Sequence, residues 1–170
     1  KNVNRCQVII ENFSNLYQVQ NEVRPVALKK LVEEAMVLSK SESREVRKMV
    51  ELGEGTEDLM LNVPLIFVVQ IIFNLIVNAS QAMKGNRGPV ITIRSSIEGP
   101  LVFIDISDNG PGIPEDKKAQ LFKPFFTTKT QGTGLGLVLS RNLALKMGGN
   151  LEYLDHNEET GAHFRLSLPL

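Results

Sequence analysis

A single cysteine, Cys6, occurs among 170 residues, which excludes an internal disulfide framework and a cysteine-based zinc cluster. With no tuning neighbour it reads as a packed thiol, not a nucleophile. The two histidines, His156 and His163, are too few and too polar in setting to suggest a metal centre. Charge of either sign is not in excess: 19 basic residues meet 19 acidic ones. That balance argues against a dominant non-specific grip on nucleic acid, which needs a basic face, and leaves a local anion site open. The polar start lacks the apolar core of a signal peptide, and the missing initiator Met suggests an excised fragment. One long uncharged run, Leu65 to Met83, approaches the length of a membrane span. It holds Gln70, Asn74, Asn78, Ser80 and Gln81, which would be costly in hydrocarbon, so no membrane insertion is expected. An apolar fraction of 42% and a charged fraction of 22% are those of a globular chain, sized for one domain with a short appendage.

Hydrophobic periodicity supplies the coarse elements. Val3, Cys6, Ile10, Phe13 and Leu16 predict an amphipathic helix, which Pro25 prevents from continuing. Ala27 to Leu38 reads as a second helix and Ser39 to Arg44 as a loop. Glu45 to Leu52 and Asp58 to Val63 are candidate strands around Gly53-Glu54-Gly55. Pro64 suits the first turn of a long helix to about Met83, apolar nearly all round and therefore expected to be buried. Val90 to Ile97 and Leu101 to Ser107 form a predicted hairpin. Pro114 to Phe122 reads as a short helix, Phe125 to Thr133 as a Thr- and Gly-rich loop, and Gly134 to Met147 as a helix. Asn150 to Leu154 and Ala162 to Leu168 close the chain as strands. His163 lies on the polar face of the last one and reads as a surface residue.

Three segments carry chemistry. Gln70, Asn74, Asn78 and Gln81 form one narrow stripe on the long helix; buried amides need partners, either neighbouring backbone or a polar site where paired carbonyl oxygens suit a hard cation such as Mg²⁺. Asp108 has the parity of Val102, Ile104 and Ile106, and a carboxylate ending an apolar row is costly unless it meets a donor. It caps its own Asn109-Gly110-Pro111-Gly112 turn or accepts from a base amine. Gly132-Thr133-Gly134-Leu135-Gly136-Leu137 opens a helix whose free N–H groups and dipole favour an anion; the alternative is a flexible hinge. The run is neither a Rossmann fingerprint nor a Walker loop. Lys129 is a phosphate cation or a solvated loop lysine.

The combination and order of these segments resemble the N, G1, F and G2 boxes of sensor histidine kinases. They read Asn74-Leu75-Ile76-Val77-Asn78-Ala79, Asp108-Asn109-Gly110-Pro111-Gly112, Leu121-Phe122-Lys123-Pro124-Phe125-Phe126 and Gly132 to Leu137. Gly148-Gly149 and Gly161-Ala162-His163-Phe164 resemble the end of the same domain, and Asn78 to Met83 with Phe125 to Lys129 look most like the nitrogen-regulation subgroup. The likeness covers roughly Arg24 to Leu170. It implies an α/β Bergerat-type fold (an α+β two-layer sandwich): a mixed sheet with helices on one face and a mobile ATP lid over about Ile113 to Thr133, anchored by Phe122 and Phe125. It divides the chain into residues 1–20, the end of a dimerisation and phosphoacceptor hairpin, and 21–170, an ATP-binding catalytic domain. Asp108 would contact the adenine amine, Asn74 and Asn78 would serve Mg²⁺ and the phosphates, and Gly134 and Gly136 would free backbone for the triphosphate. The wider nucleotide site would include Gln81, Lys84, Gly110, Gly112, Ile113, Phe122, Thr128, Lys129, Gly132, Thr133, Leu135 and Leu137.

Hydrolytic relatives of that fold carry a Glu one turn before the metal-binding Asn. Here the position is Asn74, and an amide has no useful basicity, which favours phosphoryl transfer over hydrolysis. A hydrolytic ATPase and a non-catalytic nucleotide-sensing module are the alternatives. Neither His156 nor His163 lies in a helical hairpin, so the acceptor histidine is expected to be absent and the fragment to bind ATP without phosphorylating itself. Gln81 and Ala82 replace the Lys and aromatic that many members have there, leaving Lys129 and Lys84 as candidates for the phosphate-contacting cation. The implied partners are the chain's own phosphoacceptor domain and a response-regulator receiver domain, in a homodimeric full-length protein with this domain in the cytoplasm.

Overall fold

The computed structural model describes residues 22–129, 132–155 and 161–170. The expected helix near Val3 to Leu16, the hairpin assignment of residues 1–20 and His156 lie outside them. The elements are β1 (Val23–Ala27), α1 (Leu28–Leu38), β2 (Arg47–Leu52), β3 (Met60–Pro64), α2 (Leu65–Ala82), β4 (Val90–Glu98), β5 (Leu101–Asp108), α3 (Glu115–Lys118), α4 (Gly136–Lys146), β6 (Asn150–Tyr153) and β7 (His163–Pro169).

A five-stranded mixed sheet has the order β2-β4-β5-β7-β6, parallel only between β2 and β4. A separate antiparallel pair joins β1 to β3. The two candidate strands flanking Gly53-Glu54-Gly55 therefore exist but are not partners. β2 continues beside β4 and β3 turns away to β1. The strand β1 is not apparent from sequence because Pro25 interrupts it; opposite Asn62 in a two-stranded ribbon, a proline costs no central ladder bond.

Alternation decides the layers. Ile91 and Ile93 of β4, Val102, Ile104 and Ile106 of β5, and Phe164, Leu166 and Leu168 of β7 are buried, and register sets Ile93 beside Ile106 and Ile106 beside Phe164. Against this face pack the helices, with α2 contacting both α1 and α4. Val68, Val69, Ile71, Ile72, Leu75, Ile76 and Ala79 of α2 are buried, each large one contributing roughly 1.5–3 kcal/mol by its removal from water. Among the described residues α2 alone is long and apolar enough to cross a membrane, and its contacts are those of a core helix. Its amide stripe is half-buried at Gln70, Asn74 and Asn78 and exposed at Gln81, so α2 is not enclosed all round. The predicted helix from Pro114 to Phe122 shrinks to α3, tied to the end of β6 by Lys118, which bonds Glu115 and Asp155.

His163 is not a surface residue: it is 8% exposed. β7 runs between β5 and β6, so its polar face is hemmed in by neighbouring strands. There His163 Nε2 lies 2.9 Å from Asp105 Oδ1, while Arg165 donates to both Asp105 oxygens at 2.8 and 3.1 Å. Burial alone would raise the Asp105 carboxyl, but the bonds from His163 and Arg165 outweigh it and hold the group below its usual 3.8. A folded-state value below the unfolded one adds stability above pH 3.8 that is lost as pH falls through the lower value. Asp105→Asn should therefore destabilise the fold by about 1–3 kcal/mol at pH 7. Denaturation midpoints of variant and parent should converge below pH 3.8; a difference unchanged by acid would refute the ion pair as its cause.

Candidate functional site

A cleft of about 750 Å³ opens between α2, the end of β5 and the segment from Gly112 to the start of α4, within the size range of small-molecule sites. Asn74, Asn78 and Asp108 all line it, so the three groups picked out by sequence share one cavity.

Asp108 continues the core-facing row of β5, opposite Ile91, and is 8% exposed. Its Oδ1 accepts from the N–H groups of Gly110 at 2.8 Å and Ala162 at 3.1 Å, and no protein donor among the described residues reaches Oδ2. Backbone bonds from Asp108 N–H to Ala162 O and from Gly161 N–H to Asp108 O fix the neighbouring chain. Burial pushes the carboxyl above its usual value, with the Gly110 and Ala162 amides opposing the rise. A buried acceptor with one unused oxygen suits a neutral donor such as an aryl amine. A side chain at 161 would come within 2.1 Å of Asp108 Oδ1 and 2.5 Å of the Gly110 nitrogen, so only glycine allows this approach.

The amide stripe of α2 faces the cleft through Asn74, Asn78 and Gln81. Asn74 Nδ2 donates to Ser140 Oγ at 2.9 Å, binding α2 to α4, and its Oδ1 lies where a Cβ at Gly136 would be only 2.6 Å away. Lys129 reaches across the cleft and donates to Asn78 Oδ1 at 2.8 Å and Gln81 Oε1 at 2.7 Å. Both partners are neutral, and burial lowers the lysine's affinity for its proton. Among the described residues no three His, Cys, Asp or Glu cluster as a metal cage. Two amide oxygens converging on one ammonium are hard donors, and they fit a Mg²⁺ ion that brings phosphate and water as its remaining ligands.

At the other wall, α4 begins at Gly136 with no side chain capping its first amides, so these N–H groups and the helix dipole present an anion site. Gly134, at φ 67°, lets the chain pass within 2.3 Å of where its Cβ would meet the Phe125 carbonyl carbon. Phe125 donates its N–H to Gly134 O at 3.0 Å and itself sits at φ 65°, a costly conformation for a bulky residue.

Of the residues expected to bind nucleotide, Gln81, Lys84, Gly112, Ile113, Thr128, Lys129, Gly132, Thr133, Gly134, Gly136 and Leu137 also line the cleft. Gly110, Phe122 and Leu135 do not line its wall. Gly110 acts behind it by donating to Asp108, and Leu135 is the residue preceding the first turn of α4. Phe122 packs on the core with the Arg141 guanidinium 4.8 Å from its ring centre. Phe125 does not anchor the loop: it is 76% exposed, and Phe126 faces the cleft in its place. Sequence reasoning missed Ser140 and Ala162. Ser140 lies one turn beyond Gly136 on a helix already predicted, a usable signal; Ala162 stands in the Gly161 to Phe164 run already likened to the end of the domain, but its bond to Asp108 joins residues 54 apart and has no local signal.

Residues 65–170 match the family described as histidine kinase-, DNA gyrase B- and HSP90-like ATPase. The chain is 34% identical over 153 residues to the sensor protein FixL of Bradyrhizobium diazoefficiens, covering 88% of this chain and 30% of FixL. It is 36% identical over 117 residues to the sensory histidine kinase/phosphatase NtrB of Azospirillum brasilense, covering 61% of this chain and 28% of NtrB, a likeness compatible with the nitrogen-regulation subgroup. It thus spans less than a third of either sensor's length. A nucleotide-free structure of the catalytic domain of histidine kinase ThkA superposes with a TM-score of 0.75 at 32% identity, over 87% of this chain and 95% of that one. Family match, sequence identity and superposition agree, and the chain belongs to the histidine kinase-, DNA gyrase B- and HSP90-like ATPases as a histidine-kinase-type ATPase domain.

Proposed function

We propose that this domain binds Mg·ATP and transfers the γ-phosphoryl group to a histidine on the dimerisation hairpin of a two-component sensor. The observation that carries the reading is the convergence of Asn74, Asn78 and Asp108 on one cleft. Asp108 accepts a hydrogen bond from the adenine amine. The N–H groups at the start of α4 hold the phosphates. Asn78 and Asn74 one turn before it, with Gln81 beside Asn78 on the same wall, would hold the metal, which would neutralise charge on the phosphates. Asn74, its amide turned by Ser140, cannot take a proton from water. The γ-phosphoryl therefore waits for an incoming imidazole nitrogen: its lone pair forms the N–P bond as the P–O bond to ADP breaks. In this reading residues 1–20 end the hairpin, 21–170 form the catalytic domain, and the parent is a homodimer that passes the group to a response-regulator receiver domain in the cytoplasm.

Mixing the chain with a hairpin fragment bearing its acceptor histidine and Mg·ATP should yield acid-labile, base-stable phosphate on that histidine. No transfer under any condition that supports nucleotide binding would remove the kinase assignment. Steady, multiple-turnover phosphate release by the chain alone would assign a hydrolase instead.

A further inference from the structure

Lys129 lines the cleft, and the proposed reaction gives it no part. Its ammonium bonds Asn78 Oδ1 at 2.8 Å and Gln81 Oε1 at 2.7 Å, both normal lengths. These bonds join residues 51 and 48 positions apart, so they tie the loop before α4 to α2 across the cleft mouth. Two of the three ammonium donors are used and one is left over. Both acceptors are uncharged amide oxygens, the donor type a hard divalent ion selects.

We propose that the Lys129 ammonium and the divalent ion take one seat in turn, so that the lysine latches the nucleotide-free cleft and leaves when metal enters with nucleotide. This rests on the nucleotide reading above. Mg²⁺ binds oxygen at about 2 Å, and an ammonium bonded to that same oxygen would lie within a few ångströms of it. A single and a double positive charge at that distance repel strongly in a half-buried cleft, so one cation excludes the other. Metal-free nucleotide meets a different site: the lysine stays seated, and its spare N–H faces the incoming phosphates as a point charge. Lys129 then replaces part of the charge neutralisation that metal supplies, and the two effects are not additive.

Calorimetric titration of ADP or a non-hydrolysable ATP analogue, in Mg²⁺ and in excess chelator, gives a ratio of affinities for the wild type and for Lys129→Met. With one shared seat, that ratio should be at least about tenfold larger in Lys129→Met, which has no substitute cation. Equal ratios in the two proteins overturn the shared seat, because they mean that lysine and metal act independently. A second arm uses no nucleotide. Amide hydrogen exchange over Thr127 to Lys129 should quicken about fivefold or more in Lys129→Met and in Gln81→Ala, and unchanged exchange overturns the latch. Failure of both proteins to bind any nucleotide would condemn the ATP-site reading, and the exchange arm would still decide the latch.

Discussion

Asp108→Asn is expected to lower affinity for adenine nucleotides by about 100-fold while leaving the fold intact. The asparagine oxygen can take over the two N–H groups of Gly110 and Ala162 that Asp108 Oδ1 now accepts. Its Nδ2 would then face the ligand's amine, donor against donor, where a carboxylate oxygen had accepted. Titration should show the loss for ATP and ADP alike, because the proposed contact is to the base, and thermal unfolding should shift little. A smaller loss for the diphosphate than for the triphosphate would move the contact away from the base. Acid should mimic the substitution. Burial raises the Asp108 carboxyl above 3.8, and an amine donor favours the ionised form, so the bound state holds its proton less tightly than the free one. Affinity is then full above the free-state value and falls as pH drops through it, beginning above 3.8. Asp108→Asn should show no such fall.

Gly161→Ala should be as damaging by a different route. The added methyl would stand 2.1 Å from Asp108 Oδ1, 2.5 Å from the Gly110 nitrogen and 2.7 Å from the Asp108 carbonyl oxygen. Two of these atoms are backbone, so the chain entering β7 must move. The Ala162 N–H then loses its aim at the carboxylate, leaving a buried acid less well satisfied. Nucleotide affinity should fall by about 100-fold or more and stability by about 1–3 kcal/mol. Gly161→Ala and Asp108→Asn act on one bond network, so the double variant should bind little worse than either alone. Additive losses in the double variant would show that Gly161 does not act through Asp108.

Local pattern made much of this legible. Strand parity put Asp108 with Ile106 on the core side, and helical spacing put Asn74, Asn78 and Gln81 on one wall. The glycine run marked the start of α4 at Gly136, two residues inside the expected boundary at Gly134. What stayed hidden depends on partners distant in sequence. The polar face of β7 says nothing about β6 and β5 on either side of it, so His163 looks exposed until the sheet is assembled. Strands β2 and β3 are each recognisable, but their pairing is decided by β4 and β1. Phe125 and Phe126 are adjacent and chemically alike, and only the backbone turn at φ 65° decides which faces solvent. The seat of Lys129 likewise joins segments about fifty residues apart.

The insertion of β7 between β5 and β6 has a bearing on how the protein is made. A ribosome delivers β4, β5, α4 and β6 before the strand that unites them, so β6 waits without a sheet neighbour until residues 163–169 arrive. The Asp108 end of the cleft is under the same delay, because Asp108 receives the Ala162 amide only when that late strand docks. A nascent chain should therefore gain nucleotide affinity in one late step, not gradually, and stalled chains ending before residue 161 should neither bind ATP nor be rescued by it.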